Sequence, residues 1–399
     1  MANSKILLVT LLDGSVMQFV VTRKTFGRDI LDQVCQSLGV WEQDYFSLQY
    51  DNLRGEKRWL NNKNPLLPQL LEENITADTF KCMFRVKFFV QQQQILMTLT
   101  RHLFYLDLKK KLKDQTLRIP PHHQRKIKIL SCLAQAELGD FQPDCDLEML
   151  YRTVVPGYTE SLFEDLKKNH SMLRLTSKQE AEVLFLTKIS QVVEEYGTDR
   201  HEVYAHGRSV MSMNICMEGA TIIIKEQPDR RIPFCNFISA RVNNNNLHMI
   251  VEDFPYKQLI PEMDQINIEA PIGLNMEYNT LTDVSLQFLT ADQCWHAYRA
   301  LTERIVFYAR NRADDIEEPH FKCRWHSFVA KVQPSKATAL RLYNFDVEHT
   351  SKETYENTWN ILVTDVGERN ASNKRVTCSI PHISCLPRGL LRRRGQSEP

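Results

Sequence analysis

The hydrophobic period of this chain changes twice, and that constrains its fold more than any single motif. Up to about residue 90, apolar residues alternate or fall into one short helical run. From about 93 to 196 they recur at helical spacing only, and from about 200 to 290 alternation returns and is closed by one helix. Period 2 places one face of a strand in a core, and period 3.6 one face of a helix. Three blocks of different period in 399 residues ask for separate lobes, in line with roughly one domain per 150 residues.

In the first block, residues 5–12 and 16–22 flank Asp13-Gly14, a dipeptide that favours a tight hairpin. Ile30, Leu31, Val34, Cys35 and Leu38 follow helical spacing, with Gly39 at the C-terminal cap. Residues 45–50 read as a strand. Phe80, Cys82, Phe84, Val86 and Phe88 alternate with Lys81, Met83, Arg85 and Lys87, as a half-buried strand requires. The pattern is that of a ubiquitin-like β-grasp over residues 1–90.

The second block, 91–198, reads as an all-helical lobe. Leu96, Leu99, Leu103, Leu106 and Leu112 give one stripe, Pro120-Pro121 interrupts, and Ile127, Ile129, Leu130, Leu133 and Ala134 give a second. Ser177-Lys178-Gln179-Glu180 is a capping box opening a helix that buries Leu184, Phe185, Ile189 and Val192. In the third block, 199–312, strands are expected at 203–205, 211–217, 220–225, 232–241 and 247–251. Residues 243–246 are a polar turn, and Val284, Leu286 and Phe288 form a last strand. Thr290-Ala291-Asp292-Gln293 opens a helix to about Arg310. Strands closed by one amphipathic helix suggest a pleckstrin/phosphotyrosine-binding sandwich. An extension, 313–362, holds another capping box, Thr350-Ser351-Lys352-Glu353, and the tail 363–399 loses apolar period and is expected to be disordered.

Composition removes whole classes of chemistry. The 13 glycines are spread so widely that the closest pair, Gly389 and Gly395, stand six apart. Dinucleotide turns, phosphate loops, kinase glycine loops and nucleophile elbows need closer spacing. The ten cysteines form no C-x-x-C, so paired zinc knuckles, RING cross-braces and thioredoxin-like redox motifs are not written here. A net charge of +1 argues against a nucleic-acid binder. The first ten residues read as a strand and not a signal peptide, no apolar run is long enough to span a membrane, and the scattered cysteines suit a reducing, cytoplasmic compartment. No cofactor is expected.

Three strings in lobe order carry a family resemblance. Phe84-Arg85-Val86-Lys87-Phe88-Phe89-Val90, Thr100-Arg101-His102-Leu103-Phe104-Tyr105-Leu106 and Leu133-Ala134-Gln135-Ala136-Glu137-Leu138-Gly139-Asp140-Phe141 resemble segments of FERM domains. The resemblance implies an α+β cloverleaf: a ubiquitin-like β-grasp, an acyl-CoA-binding-protein-like helical bundle and a PH/PTB-like sandwich with a C-terminal helix. Asp32-Gln33-Val34-Cys35, Asp44-Tyr45-Phe46, Trp59-Leu60-Asn61, Tyr298-Arg299-Ala300-Leu301-Thr302-Glu303, Tyr343-Asn344-Phe345-Asp346 and residues 350–355 further resemble the FERM–RING ubiquitin ligases that degrade receptors. That subfamily implies a FERM part holding a receptor tail and a RING recruiting the conjugating enzyme. Two departures stand out: residues 253–283 look like an insertion, and nothing after 356 has RING spacing. The chain itself is therefore read as an adaptor and not an enzyme. The alternatives are a truncated form of an active ligase and a band 4.1-type membrane–cytoskeleton linker.

The resemblance implies where partners bind. A receptor cytoplasmic tail would add a strand beside residues 237–242, involving Phe237, Ser239 and Arg241, with Tyr298 and Thr302 on the closing helix selecting its side chains. Tyr298 and Thr302 could equally pack on the sandwich. Lys109, Lys110, Lys111 and Lys113 with Arg125, Lys126 and Lys128 form a basic cluster, either an anionic phospholipid contact at the inner plasma membrane or a solvated helix face. Cytoskeletal proteins and a RING-bearing relative are further candidate partners. Three apparent sites fail. His201, Glu202 and His206 are spaced one residue too far for a zinc helix, Cys323 and His326 lack a second ligand pair, and no His-Cys phosphatase dipeptide occurs. Ser397, near Arg394 and Pro399, resembles a phosphoserine adaptor site only weakly.

Overall fold

The computed structural model describes residues 4–52, 54–71, 78–120, 122–142, 146–205, 208–224, 229–252, 281–313 and 346–372. Contacts divide the chain into one unit over 1–358 and a second over 359–399. Three lobes make up the first unit.

Lobe 1 contains β1 (Lys5–Thr10), β2 (Val16–Val21), α1 (Gly27–Leu38), β3 (Phe46–Asp51), β4 (Lys57–Trp59), α2 (Leu66–Leu71) and β5 (Thr79–Val86). The sheet order is β2-β1-β5-β3-β4, with β1 and β5 parallel and the other pairs antiparallel. This is the expected β-grasp. The turn forms because Asp13 accepts hydrogen bonds from the Ser15 N–H (2.9 Å) and hydroxyl (2.7 Å). Gly39 ends α1 at φ 75°, and the next N–H, of Val40, reaches back to the Cys35 carbonyl at 2.9 Å. The alternation read through Phe88 stops at Val86. Phe88, Phe89 and Val90 are all buried, because here the chain leaves the sheet and runs between lobes.

Lobe 2 contains α3 (Thr98–Lys113), α4 (His123–Leu138), α5 (Leu147–Val154), α6 (Phe163–Ser171) and α7 (Lys178–Val192). The Ser177–Glu180 capping box forms in both directions. On α3 the core face is wider than the expected leucine stripe, of which Leu103 and Leu112 are buried. Leu96 precedes the helix and Leu106 is half-buried, whereas Phe104, Tyr105, Asp107 and Leu108 are fully buried. The reason is that α3 packs on both α7 and lobe 1, so its contact face is wider than one stripe. One hydrophobic core runs unbroken through lobe 1, α3, α7 and part of α4. A second joins Ile127, Leu130 and Ala134 of α4 to α5 and α6.

Lobe 3 has two sheets: β6 (Asp199–Ala205), β7 (Arg208–Ile215), β8 (Gly219–Ile224) and β9 (Arg230–Pro233) in sequential order, then β10 (Phe237–Asn243), β11 (Asn246–Glu252) and β12 (Leu281–Gln287). The strand expected over 232–241 is two strands. A 3-10 turn at Phe234–Asn236 breaks it, and the chain crosses from one sheet to the other there. Helix α8 (Ala291–Arg304), capped by the Thr290 hydroxyl, closes the sandwich and continues as one π-helical turn, Ile305–Ala309. The last helix, α9 (Ser351–Ser372), opens with the expected Thr350–Glu353 box and continues past residue 362 into the stretch expected to be disordered. Residues 253–280 of the expected insertion, and Cys323, His326, Arg394, Ser397 and Pro399, lie outside the described residues, while 281–283 belong to β12.

Candidate functional site

β10 is the terminal strand of its sheet, so one backbone edge has no partner strand among the described residues. Phe237 and Ala240 point into the core, Ile238, Ser239 and Val242 are half-buried, and Arg241 and Asn243 are exposed. An extended peptide pairing with such an edge satisfies its N–H and C=O groups and reads alternate side chains. Helix α8 packs along β10 and β11.

The two helix residues expected to select peptide side chains are not displayed. Tyr298 is only 4% exposed and meets Trp295 edge to face, with ring centroids 5.5 Å apart. Thr302 is only 1% exposed, and its hydroxyl donates to the Tyr298 carbonyl at 2.8 Å. Tyr298 packs into the core of the sandwich itself, with Ala297, Ala300 and Leu301, while lobe 1 covers the opposite face of α8 that a free-standing sandwich would leave to solvent, so every residue from Ala297 to Arg304 is buried. Trp295, one turn earlier and half-buried, is the aromatic left at the margin, and the sequence reading passed over it.

What covers α8 is a buried charge cluster that sequence reasoning missed. Arg299 Nε donates to Glu303 at 2.6 Å, Lys87 Nζ reaches Glu303 at 2.9 Å, and both cations meet Asp346 Oδ2 at 3.3 Å. Lys87 ends lobe 1, Arg299 and Glu303 belong to lobe 3, and Asp346 comes from the extension. Two cations and two anions balance, and burial this deep is tolerable only in such a paired arrangement. Arg299 also donates to the Trp59 and Leu60 carbonyls at 3.2 and 3.1 Å, tying α8 to β4. Burial pushes the Glu303 carboxyl up, but Arg299 and Lys87 outweigh it and hold the group down to about 2. For Asp346 burial wins and its carboxyl stays above the usual range. The i,i+4 spacing of Arg299 and Glu303 was a visible signal; the alternation around Lys87 pointed the other way.

The extension completes the junction as a strap over residues 346–350. Glu348 pairs with Arg28 at 3.0 Å, His349 with Asp44 at 3.1 Å, and Lys63 donates to the Val347 carbonyl at 3.2 Å. Aromatic rings fill the space beneath. Phe88 stacks on Phe307 at 4.2 Å, and Tyr45 sits edge-on to both Phe104 and Phe307.

The basic cluster does not form one patch. Lys109 is held by Glu137 at 2.6 Å, and Lys111 by Asp107 at 3.1 Å and over the Phe89 ring. Lys109 meets α4 at Glu137, nine residues and so about 13 Å along that helix from Lys128. Lys113, Arg125 and Lys128 are exposed, and Lys110 and Lys126 are half-buried.

No group of three metal-ligating side chains occurs among the described residues. His201 lies on β6, where burial lowers its pKa, and His206 is outside the described residues. Burial pushes the Cys82 and Cys294 thiols up to about 12, so neither is a nucleophile at neutral pH. No helix among the described residues is long and apolar enough to cross a membrane.

Family comparisons agree with this geometry. Residues 9–72 match the FERM N-terminal domain and residues 90–201 the FERM central domain, which are the β-grasp and helical lobes described above. The chain carries FERM domains. Its fold is the FERM cloverleaf. The Drosophila melanogaster Protein 4.1 homolog is 28% identical over 222 residues, covering 54% of this chain and 12% of that protein. Human Band 4.1-like protein 3 is 25% identical, covering 63% and 22%. Human tyrosine-protein phosphatase non-receptor type 4 is 30% identical over 350 residues, covering 85% and 37%. The chain thus spans between 12% and 37% of the length of these relatives. Among solved structures, the FERM and C-terminal domain complex of Drosophila Merlin superposes with a TM-score of 0.54 at 19% identity, covering 62% of this chain and 85% of that one. A Dictyostelium discoideum myosin VII MyTH4-FERM domain gives 0.56 at 12% identity, covering 76% and 58%. Both likenesses concern the fold.

Proposed function

We propose that this FERM chain is an adaptor at the cytoplasmic face of a membrane, and that its third lobe holds an extended tail peptide of a membrane protein against β10. The observation that carries the reading is the edge of β10 beside α8, which no strand among the described residues pairs, with Ile238, Ser239, Arg241 and Val242 accessible along it. Backbone pairing supplies affinity, and Arg241 with the Trp295 margin supplies selectivity; Tyr298 and Thr302 act from beneath by holding the helix. The band 4.1 relatives support a membrane–cytoskeleton linker or adaptor role. The test is a peptide array of cytoplasmic juxtamembrane segments, followed by hydrogen exchange on the best binder. Amides of Phe237–Asn243 should gain protection; protection confined to lobes 1 and 2 would refute the reading.

A second, finer reading is favoured by the strap. Residues 343–346 and 350–355, which resemble the receptor-degrading FERM–RING ligases and in particular the myosin regulatory light chain interacting protein, include Asp346, Thr350 and Glu353, all of which make structural contacts. On this reading the chain is the target-choosing part of such a ligase. Expressing these 399 residues alone should raise receptor levels by competition with a RING-bearing relative, and a fall would refute it.

A further inference from the structure

Strand β2 is the terminal strand of the lobe 1 sheet, and no strand among the described residues pairs with its outer edge. That edge lacks the devices that usually block pairing. Val16-Met17-Gln18-Phe19-Val20-Val21 holds no charge and no proline, and its register with β1 runs from Val16 to Val21 without a bulge. Met17, Phe19 and Val21 turn toward the core. Val16, Gln18 and Val20 turn to solvent, the two valines 57% and 71% exposed.

The backbone is set to accept a further strand. Leu11 donates its N–H to the Ser15 carbonyl at 2.8 Å, which makes residues 11 and 15 a bonded pair. Bonded pairs alternate along an antiparallel ladder. Met17, Phe19 and Val21 therefore turn their N–H and C=O groups toward β1, and Val16, Gln18 and Val20 turn theirs outward. The Ile6 N–H, which donates to the Asp78 carbonyl at 2.9 Å on the other side of β1, agrees with this phase.

The occupant that fits is the same strand of a second copy. A two-fold axis normal to the sheet makes the pairing antiparallel and keeps every side chain on its own face, so only residues an even number apart can meet. One such register matches chemistry throughout: Gln18 meets Gln18, and Val16 meets Val20 on both sides of the axis. A slip of two residues either way sets Gln18 against a valine. Charge points to the same arrangement. Exposed Asp13 precedes β2, and exposed Arg23 and Lys24 follow it. Antiparallel pairing in the matched register carries Arg23 of one copy to the Asp13 turn of the other at both ends, whereas parallel pairing would bring like charges together. The other ionic groups nearby are engaged within the chain: Lys5 with Asp78, Asp29 with the Phe26 N–H, and His102 with Glu182. We propose that two copies of this chain pair along β2 and join their lobe 1 sheets into one. The contact is independent of peptide binding at β10 and of any membrane contact.

Sedimentation velocity of the full chain, over a concentration series, should show a monomer–dimer equilibrium. The seam is small beside the roughly 1,200 Å² of a stable interface, so a dissociation constant on the order of 0.1 mM is expected. Val20→Lys, at an exposed position where lysine does not disturb the core, should weaken the dimer about thirtyfold, because both Val16–Val20 contacts are lost. Asp13→Asn keeps an acceptor for Ser15 and removes the charge. It and Arg23→Gln should each weaken the dimer about threefold, and the two together no more than either alone. The register has its own readout. Residue 18 meets its own copy at a Cα separation of about 5.5 Å, within disulfide range. Under oxidation Gln18→Cys should therefore give a covalent dimer that neither Val20→Cys nor wild type gives. A wild type that remains monomeric up to about 500 μM, five times the expected constant, would overturn the proposal and leave the edge to a strand of another protein. A dimer untouched by Val20→Lys would also overturn it, and would put the contact on another face. Cross-linking by Val20→Cys in place of Gln18→Cys would overturn the register.

Discussion

Glu303→Gln tests whether lobe 1, lobe 3 and the extension are joined by paired buried charge. Glutamine keeps the volume and can still accept a hydrogen bond, but it leaves Lys87 and Arg299 with Asp346 as their only anion. The magnitude follows from the carboxyl itself. Holding Glu303 down from 4.5 to about 2 corresponds to about 3 kcal/mol at 1.36 kcal/mol per pKa unit. Breaking a buried pair by removing one partner costs about 3–5 kcal/mol, so the two routes agree. Guanidinium denaturation of the full chain at pH 7, followed by circular dichroism, should show a loss of about 3 kcal/mol. The folded carboxyl titrates below the unfolded one, so the unfolded state takes up its proton first as pH falls. The Glu303 contribution is therefore complete above 4.5 and is lost between 4.5 and about 2, and the wild-type and variant stabilities converge over that window. Removing Lys87 and Glu303 together, as Lys87→Met with Glu303→Leu, should recover most of the loss, because one cation and one anion remain paired. A Glu303→Gln protein within about 0.5 kcal/mol of wild type at pH 7, the range of an ordinary surface substitution, would refute the reasoning.

Two other predictions test the elements around the junction. Gly39→Ala should destabilise lobe 1 by about 1 kcal/mol in thermal denaturation: its φ is +75° and no atom lies within 4 Å of the added methyl, so the cost is conformational. The hydrogen bond to Asp44 raises the His349 pKa above its ordinary 6.5. The strap is thus held most firmly below 6.5 and loosens as pH rises through the folded value. Hydrogen exchange at residues 346–350, corrected for intrinsic rates, should be faster at alkaline pH, and His349→Gln should remove that dependence.

Much of the architecture was legible because local chemistry and global packing agreed. The Asp13-Gly14 turn, the Gly39 cap and the boxes at Ser177 and Thr350 each form as their residues dictate. The misreadings at Phe88 and α3 share one cause: packing between lobes, which no local period encodes. Phe88 fits an alternating strand by spacing, yet it leaves the sheet to stack on Phe307, more than 200 residues away in sequence. Helix α3 is buried over more than its leucine stripe because two neighbours claim it.

The peptide edge and the membrane contact divide in the same way. The sequence alone determined three lobes, the β-grasp and sandwich classes, and the absence of C-x-x-C among these residues, because periodicity and spacing are properties of nearby residues. Only tertiary structure decided that Tyr298 and Thr302 face inward and that Lys109 and Lys111 are spent on Glu137 and Asp107. Exposure depends on what another lobe covers. In this chain, helix α8 carries an amphipathic pattern that promises a free polar face, and lobe 1 buries that face through charge pairing.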